Sequence, residues 1–118
     1  DPAGIDRTGS NAPPTGPTAG SRVVIKNPDV ITVRSGSVSL TSLTLYSGGT
    51  LDLGAVTGHN LGTVKGQGTL KLASAEFPGG TFNTFVSAGG GTIEYNNAAD
   101  FIMPTGRTIY NNLVIFFI

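Results

Sequence analysis

From Arg22 onward apolar and polar residues alternate in short runs. "RVVIK", "DVITVR", "SVSL" and "SLTLY" are rich in β-branched side chains, and Asn-Pro, Ser-Gly or Ser pairs separate them. A period of two sends successive side chains to opposite faces, so these runs predict strands. No window carries a helical period with caps. Residues 1–21 have a different texture, with four of the seven prolines and almost no apolar residues. Such a stretch buries too little surface to offset the entropy lost on ordering. The pattern therefore predicts a flexible Pro/Gly/Thr-rich linker or arm over 1–21 and an all-β segment over 22–118.

Within the β segment one phrase recurs: "YSGGTLDLG" at 46–54, "KGQGTLKLA" at 65–73 and "SAGGGTIEYN" at 87–96. The glycines before each Thr are Gly49, Gly68 and Gly91, spaced by 19 and 23 residues. A further strand precedes each copy, at Leu43–Leu45, at Leu61–Val64 and, for the third, at Phe82–Val86. A strand–turn–strand unit of roughly 20 residues cannot bury its apolar face alone and has to stack on its neighbours. The expected architecture is a right-handed parallel β-helix, a solenoid of about three to four coils. Short strands with glycine turns also suit a β-sandwich, which is the alternative.

Stacking accounts for the changing charge in the repeat. With Leu51 and Leu53, Leu70 and Leu72, and Ile93 and Tyr95 pointing inward, Asp52, Lys71 and Glu94 point outward. They would form one column with steps of about 4.8 Å. Acid, base, acid is the order that keeps like charges off neighbouring strands, each exposed pair contributing about 0.2–1 kcal/mol. Gly49, Gly68 and Gly91 are expected to turn a corner with positive φ, at a place where a side chain would obstruct the next coil. Asn96, Asn97, Asn111 and Asn112 are candidates for asparagine ladders. Near the end, "NNLVI" at 111–115 aligns with "SLTL" at 42–45, Leu113 matching Leu43. That alignment places the second glycine of the next Gly-Gly pair at position 119, so the expectation is a segment truncated in mid-repeat. Its apolar edge would then be covered by further repeats of the same polypeptide or by another protein chain.

Composition narrows the partners. The 118 residues suit one domain of modest core, 12% are charged, and the formal net charge is zero. A neutral chain lacks the electrostatic footprint for nucleic acid or an anionic membrane surface. The apolar run Leu113–Ile118 is far too short to cross a bilayer, so no membrane insertion is expected. With no cysteine there is no disulfide, thiolate metal site or cysteine nucleophile.

The order "RVVIKNPDVITVRSGSVSLTSLTLYSGGTLDLG", "GQGTLKL", "GGGTIEYN" and "RTIYNNLVI" resembles the repetitive β-rich segments of large secreted and cell-surface proteins of Bacteroidota. These include gliding-motility adhesins and other cargo of the type IX secretion system. The likeness covers about residues 22–115 and rests on structural motifs. The resemblance implies export, an extracellular or cell-surface location, and a stalk or adhesive role. It brings secretion or surface-anchoring machinery as a partner, and a surface glycan is a further expected partner through exposed aromatic residues. The carboxy-terminal sorting domain of that family is not visible in these residues.

The residue types that carry chemistry are sparse. His59, in "VTGHNLG", is the only histidine and has no second ligand at a metal-binding spacing, so it reads as a turn residue that tolerates unusual backbone angles. The Asp52–Lys71–Glu94 column is the sharpest catalytic candidate, since β-helix polysaccharide lyases and hydrolases place carboxylates and a base on one outer face. A cation between two carboxylates favours their ionised forms, which works against either serving as the acid. The glycine clusters lack the Gly-Lys-Ser/Thr of a phosphate loop and the regular Asp of calcium-binding repeats. Tyr46, Tyr110, Phe77 and Phe101 are candidate binding aromatics near loops. The expectation is a non-catalytic structural and adhesive module, with no catalytic residue, cofactor or metal. The alternative is part of a carbohydrate-active β-helix whose active site lies mostly outside this segment.

Overall fold

The computed structural model describes residues 20–97, 102–104 and 106–117. Most of the expected linker, and Phe101, lie outside these described residues. Nine strands follow one another: β1 (Ser21–Ile25), β2 (Val30–Thr32), β3 (Leu40–Leu45), β4 (Thr50–Asp52), β5 (Asn60–Gly66), β6 (Thr69–Leu72), β7 (Gly79–Thr81), β8 (Thr92–Asn97) and β9 (Asn112–Phe117). They sort into two sheets, one ordered β1-β3-β5-β7 and the other β2-β4-β6-β8-β9. All of the pairings between these strands are parallel. Each strand therefore pairs with the one a full coil away, and the described chain is a β-solenoid of about five turns without a helix.

The Gly-Thr phrase undercounts the coils because both end coils lack it. The first coil carries "DVIT" and the last carries "NNLVI" in the place of that phrase. Val30, Thr50, Thr69, Thr92 and Asn112 are successive register partners, so coils are offset by 20, 19, 23 and 20 residues. This register overturns the alignment of Leu113 with Leu43. Leu113 pairs with Ile93 and continues the column Ile31–Leu51–Leu70–Ile93 of the second sheet. The two strands of a coil share the same apolar alternation, so "NNLVI" matches either one by pattern alone.

The third copy also departs from expectation. The strand before its glycines is β7, and Phe82–Val86 instead forms a tight turn closed by the Val86 N–H donating to the Phe82 carbonyl at 2.9 Å. The longer offset of 23 accommodates this turn, which drives Phe82, Phe85 and Val86 into the core. They join Leu43, Leu45, Leu53, Leu61, Val64, Leu70, Leu72, Ile93 and Tyr95 in one apolar column running through the coils.

At the corner before each second strand, Gly49, Gly68 and Gly91 stack on one another, and none has positive φ. Crowding selects glycine at these positions. A Cβ on Gly49 would stand 2.6 Å from the Ile25 carbonyl oxygen, and one on Gly68 the same distance from the Gly49 oxygen. On Gly91 it would meet the Phe85 ring and, at 2.7 Å, the Gly68 oxygen. The left-handed bends fall one or two residues earlier, as at Gly48 and Gly89 with φ of 87° and 82°. In the last coil the corner position belongs to Asn111, whose side-chain amide donates to the Gly91 carbonyl at 3.3 Å. No asparagine ladder forms: Asn112 pairs with Thr92, Asn96 with Phe116 and Asn97 with Phe117.

Replacing Gly68 by Ala should cost at least about 2 kcal/mol, because backbone rather than a yielding side chain opposes the new methyl. Gly106→Ala, with nothing within 4 Å of the added carbon, should stay within about 0.5 kcal/mol. Urea unfolding of both variants measures the difference.

Candidate functional site

Strand alternation delivers the charged column as expected. Asp52, Lys71 and Glu94 are direct register partners on β4, β6 and β8. Lys71 Nζ lies 3.7 Å from Glu94 Oε2, with the two side chains 33% and 19% exposed. Asp52 turns to its own backbone, its Oδ1 accepting the N–H of Gly54 at 2.9 Å. One carboxylate thus shapes a turn and the other faces the lysine across neighbouring strands. Thr32 precedes the column and Val114 follows it.

His59 is not a strained turn residue, since no residue other than glycine has positive φ among those described. It is buried, at 5% exposure. Its Nδ1 accepts the Val38 N–H at 3.0 Å, which leaves the proton on Nε2 to be donated to the Val56 carbonyl, also at 3.0 Å. Both ring nitrogens are engaged by backbone of two adjacent coils, so the imidazole acts as a stitch between them. Among the described residues no group of three or more His, Cys, Asp or Glu side chains is placed to hold a metal ion.

The aromatic candidates separate. Tyr46 is half exposed beside the Gly48–Gly49 turn. Phe77 packs edge-on against Phe82, with ring centres 4.8 Å apart. Tyr110 meets the buried Tyr95, their hydroxyls 3.0 Å apart, and donates onward to the Arg107 carbonyl at 3.4 Å. Since Tyr110 donates onward, Tyr95 is the donor in the shared bond. Phe77 and Tyr110 are therefore partly core residues rather than free platforms.

What the residue pattern does not reveal is Arg107. Its guanidinium lies over two rings, 4.9 Å from the centre of Phe77 and 5.4 Å from that of Phe82. Thirty residues separate Arg107 from Phe77, and only the last turn of the solenoid brings them together. Beside it opens a cleft of about 250 Å³ lined by Asn83, Val86, Ser87, Gly106, Arg107, Thr108 and Ile109. Nothing in "PTGRTIY" distinguishes this arginine from a solvated one.

Burial, first, and then the hydrogen bond to Tyr110 push the Tyr95 phenol far above its ordinary value, against a smaller opposing pull from Arg107. A folded value raised above the unfolded one means the contribution to stability is complete below about pH 10 and is lost as pH rises past it. Absorbance titration of the phenolates should show one of the three tyrosines ionising only as the protein unfolds in alkali.

His59→Ala empties the space of a buried ring and takes the partner from each of two part-buried backbone groups, and should cost about 2–4 kcal/mol. Lys71→Ala, in a partly exposed ion pair, should cost under about 1 kcal/mol. Denaturant midpoints of the two variants check the contrast. Neither a protein-family model, nor a curated protein, nor a solved structure matches the chain, so fold and geometry carry the functional reading.

Proposed function

We propose that the chain is a non-catalytic structural and adhesive module of a large exported bacterial surface protein, one stretch of a stalk or adhesin. The single observation that carries this reading is the register of the charged column. Asp52, Lys71 and Glu94 are consecutive rungs, and the contacts they make are a turn hydrogen bond and a cross-strand ion pair. The ion pair links two coils and the Asp52 bond fixes a turn within one, and side chains so engaged are poorly placed to exchange protons with a substrate. The alternative, a fragment of a carbohydrate-active β-helix, draws on the same column and gains nothing from this arrangement.

A solenoid lengthens by adding coils, each contacting only its neighbours, which suits a rod that carries a binding surface away from a cell. The edge strand β9 fits this role. Leu113 and Ile115 continue the inward columns of Ile93 and Tyr95, yet are 42% and 40% exposed. They stand where a further repeat of the same polypeptide would cover them. Secretion and surface-anchoring machinery, and a glycan on the opposing surface, complete the set of proposed partners.

Antibodies against the chain should label intact, unpermeabilised cells of the source organism. Beads coated with the chain should adhere to a polysaccharide-bearing surface while leaving a soluble sample of that polysaccharide at its original chain length. Labelling only after permeabilisation would contradict export, and shortening of the polysaccharide would favour the enzymatic alternative.

A further inference from the structure

We infer that the cleft beside Arg107 binds the carboxylate of an acidic sugar residue. The inference deepens the adhesive reading and rests on it for its biological sense, though its chemistry stands on the cleft alone. Among the described residues that line the cleft only Arg107 is charged, and none is a carboxylate. An arginine cation held close to aromatic rings is attracted by their negative faces, which restricts its conformation before any ligand arrives. Phe77 and Phe82 fix it in this way. The planar fork of donors then remains available at its edge, a geometry that matches a carboxylate with two parallel hydrogen bonds.

The state of Arg107 points the same way. Its Nε is buried with no hydrogen-bond partner among the described residues, and no ion pair of the side chain with a described carboxylate is present. A cation partly stripped of water and short of acceptors binds an anion more strongly than a solvated one. The remaining lining suits a sugar ring. Ser87 donates its hydroxyl proton to the Asn83 carbonyl at 2.5 Å, which leaves the Ser87 oxygen free to accept from a sugar hydroxyl. The Asn83 amide and Thr108 hydroxyl add donors and acceptors, while Val86 and Ile109 supply apolar surface for a C–H face. A volume of about 250 Å³ admits one ring with its substituents and leaves the rest of a chain outside.

The test is a two-dimensional amide NMR titration of the full 118-residue chain with trigalacturonate, with the neutral trisaccharide maltotriose, and with inorganic sulfate. The expected result is saturable shifts confined to residues 83–87 and 106–109 with trigalacturonate, weakened by salt, with maltotriose and sulfate at least tenfold weaker. R107Q should abolish the response. Because Arg107 also covers Phe77 and Phe82, T108V serves as the second variant: it should weaken binding several-fold with an unchanged melting temperature. No shifts at these residues, equal response to maltotriose, or equal response to sulfate would each overturn the inference. Adhesion of coated beads that survives R107Q overturns the cleft and leaves the adhesive reading standing. Trigalacturonate binding without bead adhesion does the reverse.

Discussion

Everything in this fold depends on how closely one coil can approach the next. Between the inner coils, where Gly49, Gly68 and Gly91 stack, the corner admits backbone alone at the strand spacing of about 4.8 Å. The Thr50, Thr69 and Thr92 N–H groups donate to the carbonyls of Asp29, Gly49 and Gly68 one coil earlier, at 3.0, 2.9 and 2.9 Å. Those same glycine oxygens lie where a Cβ on the next glycine would fall. The hydrogen bonds and the absence of side chains are one requirement seen from two sides. Once the corner closes, register follows, and with it the apolar columns inside and the charged column outside.

The same register sets what the surface can do. Outward positions repeat every coil, so a charged residue there meets its counterpart on the adjacent strand before it meets a ligand. Lys71 and Glu94 show the consequence in their ion pair, while Asp52 is taken up by its own turn. Departures from the repeat are where other surfaces arise. The turn at Phe82–Val86 interrupts the regular coil and builds one wall of the Arg107 cleft, and the segment around Gly106–Ile109 builds the other. Irregularity in a repeat protein is a better guide to binding than the repeat itself.

Legibility in the amino-acid sequence divides along the same line. The Gly-Thr phrase revealed the parallel coil, the inward leucines and the order of the charged rungs, because each depends on period two and a fixed offset. The reason for glycine at the corner was half legible: obstruction of the next coil is right, but the positive φ belongs to neighbouring glycines. The place of Leu113 was not legible, since both strands of a coil carry the same alternation. Neither was the burial of His59, whose partners Val38 and Val56 flank it from different coils. The stacking of Arg107 on Phe77 and Phe82 arises only in three dimensions, and no local pattern encodes it.

In-register parallel stacking is the central claim, and the absence of cysteine makes it directly testable. Two double variants, T50C/T69C and T50C/T92C, should be oxidised under mild conditions and scored for intrachain disulfide by mass. Thr50 and Thr69 are partners on adjacent coils, within the Cα separation of about 4.4–6.8 Å that a disulfide spans. Thr50 and Thr92 are two coils apart, near 10 Å at about 4.8 Å per step. The account predicts rapid closure of the first pair and persistent thiols in the second. Closure of the second pair, or free thiols in the first, would contradict it.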